Sequence, residues 1–306
     1  MKKVMCYFGL FLLLPLSSLS CQSSEENTVV TLPQKPLVVL KPYARINFEP
    51  IRESSGLVKS RHNPNVLWTL NDSGDKARIF AIDLQGNVIK PATSNAYEGI
   101  FITDAQNKDW EDIATDDQGN LIIGDCGNND NSRGDLSFIL IKEPSPTTDE
   151  TAPVSLQVPF HYPDQDSFPP KIKNFDAEAI FWLNGKIYLL TKHRSDPFTK
   201  LYRLDSMNPY PSNALTWLGQ FDVKGMVTAA DVTPDGKKLA VLTYNAIWLF
   251  EAPEDSDHYF QGKISWLPIF AKQCESICFH NNALIIGNEQ RELFEVALDS
   301  LIVVGE

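Results

Sequence analysis

The sequence predicts an all-β protein, a β-propeller built from four-stranded antiparallel blades. Three observations carry the expectation. One short motif recurs five times, a tight turn and then an apolar strand follow most copies, and the motif starts stand 56, 67, 52 and 45 residues apart. Short strands repeating at that interval are the mark of propeller blades. A β-sandwich would not require the same motif to return at blade spacing. Five copies predict five blades, with six as the alternative if the N-terminal segment makes a blade of its own.

The motif copies are Ser55-Gly56-Leu57-Val58, Glu111-Asp112-Ile113-Ala114, Glu178-Ala179-Ile180-Phe181, Ala230-Asp231-Val232-Thr233 and Glu275-Ser276-Ile277-Cys278. Each places a branched aliphatic residue two positions after its start. Asp117-Gln118-Gly119, Asn184-Gly185, Asp235-Gly236 and Asn281-Asn282 then supply turn residues that tolerate φ > 0 and join antiparallel strands. Second strands follow at 66–70, 121–123, 187–190, 239–242 and 284–286, and third strands at 79–82, 138–141, 201–204, 247–250 and 293–296. Fourth strands are weaker, at 156–160 and 215–221 for example. The last copy has only Leu301 to Val304 left, so a segment within Leu37–Phe48 is expected to close the ring by pairing with the last blade.

The chain begins with an address. Lys2 and Lys3 precede a short apolar run, Phe8 to Leu16, and then Leu16-Ser17-Ser18-Leu19-Ser20-Cys21. The run has signal-peptide length rather than membrane-spanning length. Residues 1–21 read as a lipoprotein signal peptide with Cys21 acylated, the bland alternative being ordinary cleavage. Residues 22–36 read as a flexible tether and 37–306 as a single propeller domain. The expected location is a bacterial cell envelope, lipid-anchored to a membrane, with the outer membrane favoured and the periplasmic or surface side left open. With 27 basic and 39 acidic residues, net charge −12, the chain lacks the basic footprint that holds phosphate backbones, so nucleic acid is excluded as a partner. Cys126, Cys274 and Cys278 show no metal or redox spacing and read as small core residues.

In a propeller the first strands line a central channel, so equivalent positions converge. Here those positions are Ser55, Glu111, Glu178, Ala230 and Glu275. Three carboxylates aimed into one narrow channel repel each other, and a hard cation bound by oxygen relieves the repulsion. The alternative is that they cap strand ends. A second ring stands fourteen residues on, at Asp125, Lys192, Tyr244 and Glu289, with Asn71 and Asp72 in the first copy. Together with Asn129, Arg133, His193, Arg194 and Asn288 it is expected to form a ligand-binding mouth.

These motif regions resemble the calcium-activated nucleotidase (apyrase) family, five-bladed propellers with a central Ca2+. More loosely they resemble phytase-like and regucalcin-type propellers and bacterial lipoproteins. The resemblance implies a ligand set of Ser55, Glu111, Glu178, the Thr228–Ala230 stretch and Glu275. Ala230 has no side-chain oxygen, so Thr228 or a backbone carbonyl stands in. It implies hydrolysis of a small phosphorylated molecule, with Asp72, Asp125 or Glu289 as general base and Lys192, Arg194 or Arg133 neutralising transferred charge. The alternative is a non-catalytic propeller with a structural metal that captures a surface glycan, peptide or protein.

Overall fold

A computed structural model describes Met1 and residues 30–94 and 96–304. The signal peptide from residue 2, Cys21 and the first part of the tether lie outside the described residues. The chain is all-β. Among the described residues the helical turns are two short 3-10 segments, Tyr259–Gln261 and Leu298–Ser300, and no helix is long and apolar enough to cross a membrane.

Two short strands, β1 (Val38–Val39) and β2 (Ala44–Arg45), open the domain. A first unit follows: β3 (Ser54–Lys59), β4 (Leu67–Asn71), β5 (Arg78–Ile82), β6 (Val88–Ile89) and β7 (Ile100–Thr103). The second holds β8 (Trp110–Thr115), β9 (Asn120–Asp125), β10 (Ser137–Lys142) and β11 (Thr151–His161). The third holds β12 (Ala177–Leu183), β13 (Lys186–Thr191), β14 (Phe198–Leu204) and β16 (Thr216–Asp222), while β15 (Asn213–Ala214) pairs in parallel with β11 of the second. The fourth holds β17 (Val227–Val232), β18 (Lys238–Thr243), β19 (Ala246–Glu251) and β20 (Lys263–Phe270). The last holds β21 (Cys274–His280), β22 (Ala283–Asn288), β23 (Glu292–Ala297) and, after it, β24 (Ile302–Val304). Every expected second and third strand falls on one of these.

The first strands touch in sequence, β3 to β8 to β12 to β17 to β21, and β21 returns to β3. The arrangement is propeller-like. Closure follows the expected route in part: β2 pairs with β23 through Ala44–Leu293 and Arg45–Glu292. The rest of the closure differs. β1 and β24 pair not with the last unit's sheet but with β20 of the fourth. The described end of the expected tether, 30–36, lies on the domain, with Val30 and Leu32 packed against a core cluster and the Lys35 ammonium donating to the Ser300 carbonyl at 2.8 Å.

Alternation explains the core. Ala179, Phe181 and Leu183 of β12 face the fourth unit, whereas Ile180 and Trp182 face the second. Each sheet is therefore apolar on both faces, and the inner strands read as near-continuous hydrophobic runs. Five apolar clusters result, one at each junction between neighbours, including Cys278, Ile285 and Leu293 against Leu57, Phe80 and Ile82 where the last unit meets the first. The three cysteines are buried and free, as expected.

Candidate metal centre

Each inner strand carries a pairing irregularity near its start. In β8, β12, β17 and β21 the residue left opposite no partner is Glu111, Glu178, Thr228 and Glu275. A bulge re-aims a side chain out of the pleat, and Glu111 and Glu178 meet in one acid group. In β3 the break falls one residue later, at Gly56, and Ser55 keeps the equivalent place. Gly56 has φ +61, and a Cβ there would stand 2.9 Å from the Asp112 carboxylate and from the Ile113 nitrogen. The equivalent residue in the fourth unit is thus Thr228, not Ala230. The motif alignment there is displaced by two residues, and a two-residue slip leaves the inward–outward alternation of a strand unchanged.

The second ring is corrected for the same reason. The paired strand-end residues are Asn71, Asp125, Thr191, Thr243 and Asn288. Asp125 therefore matches Thr191 rather than Lys192, because the turns joining first and second strands differ in length.

Around Glu111 the acids gather. One oxygen from each of Glu111, Asp176 and Glu178 lies within 4.8 Å of the others, and the same holds for Asp72, Asp109 and Glu111. Oxygens held at about 2.4 Å by one Ca2+ are separated by at most about 4.8 Å. Asp109 and Asp176 are absent from the sequence expectations. Their signal was Asp-x-Glu at two equivalent strand starts, Asp109-Trp110-Glu111 and Asp176-Ala177-Glu178. Gly127 forms the wall of this cradle: a Cβ on it would fall 2.1 Å from Glu111 Oε1 and 2.5 Å from Asp109 Oδ2. Its amide donates to the Asp109 carbonyl at 3.1 Å.

Burial, and then the neighbouring Glu178, Asp72, Asp176 and Asp109, push the Glu111 carboxyl well above its ordinary range. Burial and Asp176 hold Glu178 up to about 8, with Lys192 pulling the other way. Asp109 is raised to about 6 by partial burial and then by Asp72 and Asp176. Glu275 is raised to about 7, chiefly by burial. Among the described residues no cationic side chain forms an ion pair with Glu111. The cations stand on its neighbours. Lys192 Nζ lies 3.0 Å from Glu178 Oε2, and Arg194 Nε donates to Asp176 Oδ2 at 2.9 Å. Burial opposes the Lys192 charge, but Glu178, Tyr244 and Glu275 outweigh it and keep the ammonium protonated.

The remaining expected site residues divide. Asp72 and Arg194 stand at the acid cluster, and the Asn129 side chain accepts from Arg194. Lys192 was expected at an open mouth and is instead buried against Glu178. Tyr244 donates to Glu275 at 2.9 Å. Asp125 is paired with Arg133 at 3.1 Å, which leaves neither as a free base or a free cation. Glu289 stands outside both acid clusters and accepts from Gln273 at 2.6 Å. His193 is buried, its charged neighbours being Asp196 and Asp222. Asn71 and Asn288 are buried braces: the Asn71 amide donates to the Pro50 carbonyl at 2.8 Å and the Asn288 amide to the Ala271 carbonyl at 3.1 Å. Ser55 donates to the Glu111 carbonyl at 2.5 Å, and Thr228 Oγ1 is buried with no hydrogen-bond partner among the described residues.

No known family model and no curated protein matches this sequence. Among solved structures, the chain is similar to a computationally designed protein, Ika8, at 10% identity and a TM-score of 0.34, covering 80% of this chain and 70% of that one. It is also similar to U3-55K at 11% identity and a TM-score of 0.39, covering 80% and 67%. Likeness at that level bears on neither site nor activity.

Proposed function

We propose that this chain is a five-bladed β-propeller lipoprotein of the bacterial cell envelope that binds one hard divalent cation, Ca2+, at its central acidic cluster. Glu111 would be the shared ligand, with Asp72 and Asp109 on one side and Asp176 and Glu178 on the other. The blade count rests on the closed ring of inner strands. The six-blade alternative would need more from the N-terminal segment than β1 and β2, which only extend existing sheets. Membrane attachment rests on the Cys21 segment alone.

The observation that carries the cation is the charge balance around Glu111. Five carboxylates crowd together while two cationic side chains, Lys192 and Arg194, touch them. The donors are all oxygen, which suits Ca2+ rather than a softer metal. Gly127 leaves room for two carboxylates to meet, which a larger residue would fill. Asp109 and Asp176 join this set; Ser55, given as a ligand by the resemblance, donates its hydroxyl proton to the Glu111 carbonyl and keeps its oxygen lone pairs.

A structural or binding role for the cation fits better than phosphoryl chemistry. Arg133, Lys192 and Arg194, expected to meet a phosphate, are each paired with a carboxylate. Hydrolysis is kept as a second reading on one observation. Asp109 is half-buried beside the cluster, and without a cation its carboxyl is raised by burial and by Asp72 and Asp176, so a carboxylate that is not itself a ligand there could serve as a general base. The bound cation would supply charge stabilisation to a developing oxyanion. Calorimetric titration of the purified protein with Ca2+ tests the main reading. One site is expected, weakened at least tenfold in Glu111→Gln, and an unchanged titration in that variant would count against it. Phosphate release from nucleotides or phytate that stops with chelator would establish the second reading.

A further inference from the structure

The channel acids are divided by a lysine. Lys192 Nζ lies 3.0 Å from Glu178 Oε2 and donates to the Tyr244 hydroxyl at 3.1 Å. That hydroxyl donates to Glu275 Oε1 at 2.9 Å, and the ammonium stands 5.2 Å from the Tyr244 ring centre. The chain Glu178–Lys192–Tyr244–Glu275 thus bridges the third, fourth and last units across the ring. Glu178, Lys192 and Glu275 are buried. Between Glu178 and Glu275, at the equivalent place on β17, is Thr228, whose buried Oγ1 has no partner among the described residues. The groups joined through Lys192 are therefore oxygens, two carboxylates and a phenol, and the unpartnered Thr228 hydroxyl stands at the strand position between them. A hard cation favours such a set, and a cation is what the protein places there, on a side chain.

Resting on the cation reading above, we infer that Lys192 is a tethered counter-cation filling a second cation position between Glu178 and Glu275. The acid-lined ring then takes one divalent ion, at Glu111, where its oxygens would otherwise hold two. A compact, flexible ammonium suits this task, since it donates in several directions at once. Deleting it strands buried carboxylates without a counter-charge, which is strongly unfavourable unless they take up protons or another cation enters.

The test is the stoichiometry of Ca2+ on the purified protein, read by native mass spectrometry and calorimetry for wild type, Lys192→Met and Lys192→Arg. Wild type and Lys192→Arg bind one ion per chain, and Lys192→Met binds two, the second lost on adding Glu275→Gln. Should Lys192→Met unfold in chelator, saturating Ca2+ restores its fold with two ions bound. One ion in folded Lys192→Met, or failure to fold in saturating Ca2+, overturns the inference while leaving the Glu111 site intact. No ion bound to wild type overturns the cation reading itself.

Discussion

At the scale of single residues, the centre depends on where one backbone lacks a side chain. Gly127 has no unusual φ to require glycine, yet its missing Cβ leaves the space in which Glu111 and Asp109 approach each other. Gly127→Ala is expected to weaken Ca2+ binding tenfold or more, about 1.4 kcal/mol, with the carboxylates forced apart. Calorimetry on the folded variant checks this, and wild-type affinity would mean that the two carboxylates do not share an ion. Glu111, Glu178 and Glu275 could be picked from the sequence because a repeat marks equivalent positions. Asp109 and Asp176 were missed because each sits one residue before its strand, so the Asp-x-Glu that marks them begins outside the repeated motif. Lys192 was found but misplaced. A charged residue after a strand reads as solvent-facing, and nothing local indicates that Glu178 and Tyr244 wait to bury it.

At the scale of elements, neighbouring inner strands are clamped by carboxylates bonded to backbone amides, Asp112 buried and Asp231 partly so. Asp112 of β8 accepts from Ile113 at 2.8 Å and, across the junction, from Ile180 of β12 at 2.9 Å. Asp231 of β17 accepts in the same way from Val232 and from Phe279 of β21, both at 2.8 Å. Removing such a carboxylate leaves two buried N–H groups without acceptors, at about 1–3 kcal/mol each. Asp112→Ala is therefore expected to destabilise by about 2–5 kcal/mol in denaturant unfolding. Asp83→Ala, whose carboxylate accepts from Gln85 and Asn87 in an exposed turn, should cost less than about 1 kcal/mol. Equal losses would show that Asp112 is no clamp. Strand positions were legible because turn residues and apolar runs are local signals. Register was not, since turn lengths vary and a slip of two keeps the same face buried, as happened between Ala230 and Thr228.

At the scale of the whole molecule, the proposed cation site would link stability to binding through the same acids. Glu178, Glu275 and Asp109 are raised to about 8, 7 and 6. A carboxyl raised by folding contributes stability that is complete below its unfolded value, near 4, and is lost as pH rises through its folded value. The cation-free protein should therefore lose stability from these groups between about pH 4 and 8. Ca2+ offsets the charge that appears, so the melting increment it gives should grow from pH 5 to 8. At a hundred times Kd it should reach about 2.7 kcal/mol, or about 5–10 °C. A constant increment across that range would separate the ion from these carboxylates. Ring closure was legible at this scale in outline, because the last repeat lacked a fourth strand. That β24 would cross to β20 was not, since Ile302 to Val304 suits the edge of either sheet. The most direct measurement is an anomalous difference map from crystals grown with Tb3+ in place of Ca2+. A single peak within about 2.6 Å of a Glu111 carboxylate oxygen, with oxygens of Asp176 and Glu178 or of Asp72 and Asp109 around it, is the predicted result. Ordered, unoccupied carboxylates at Glu111 beside a peak elsewhere would contradict it.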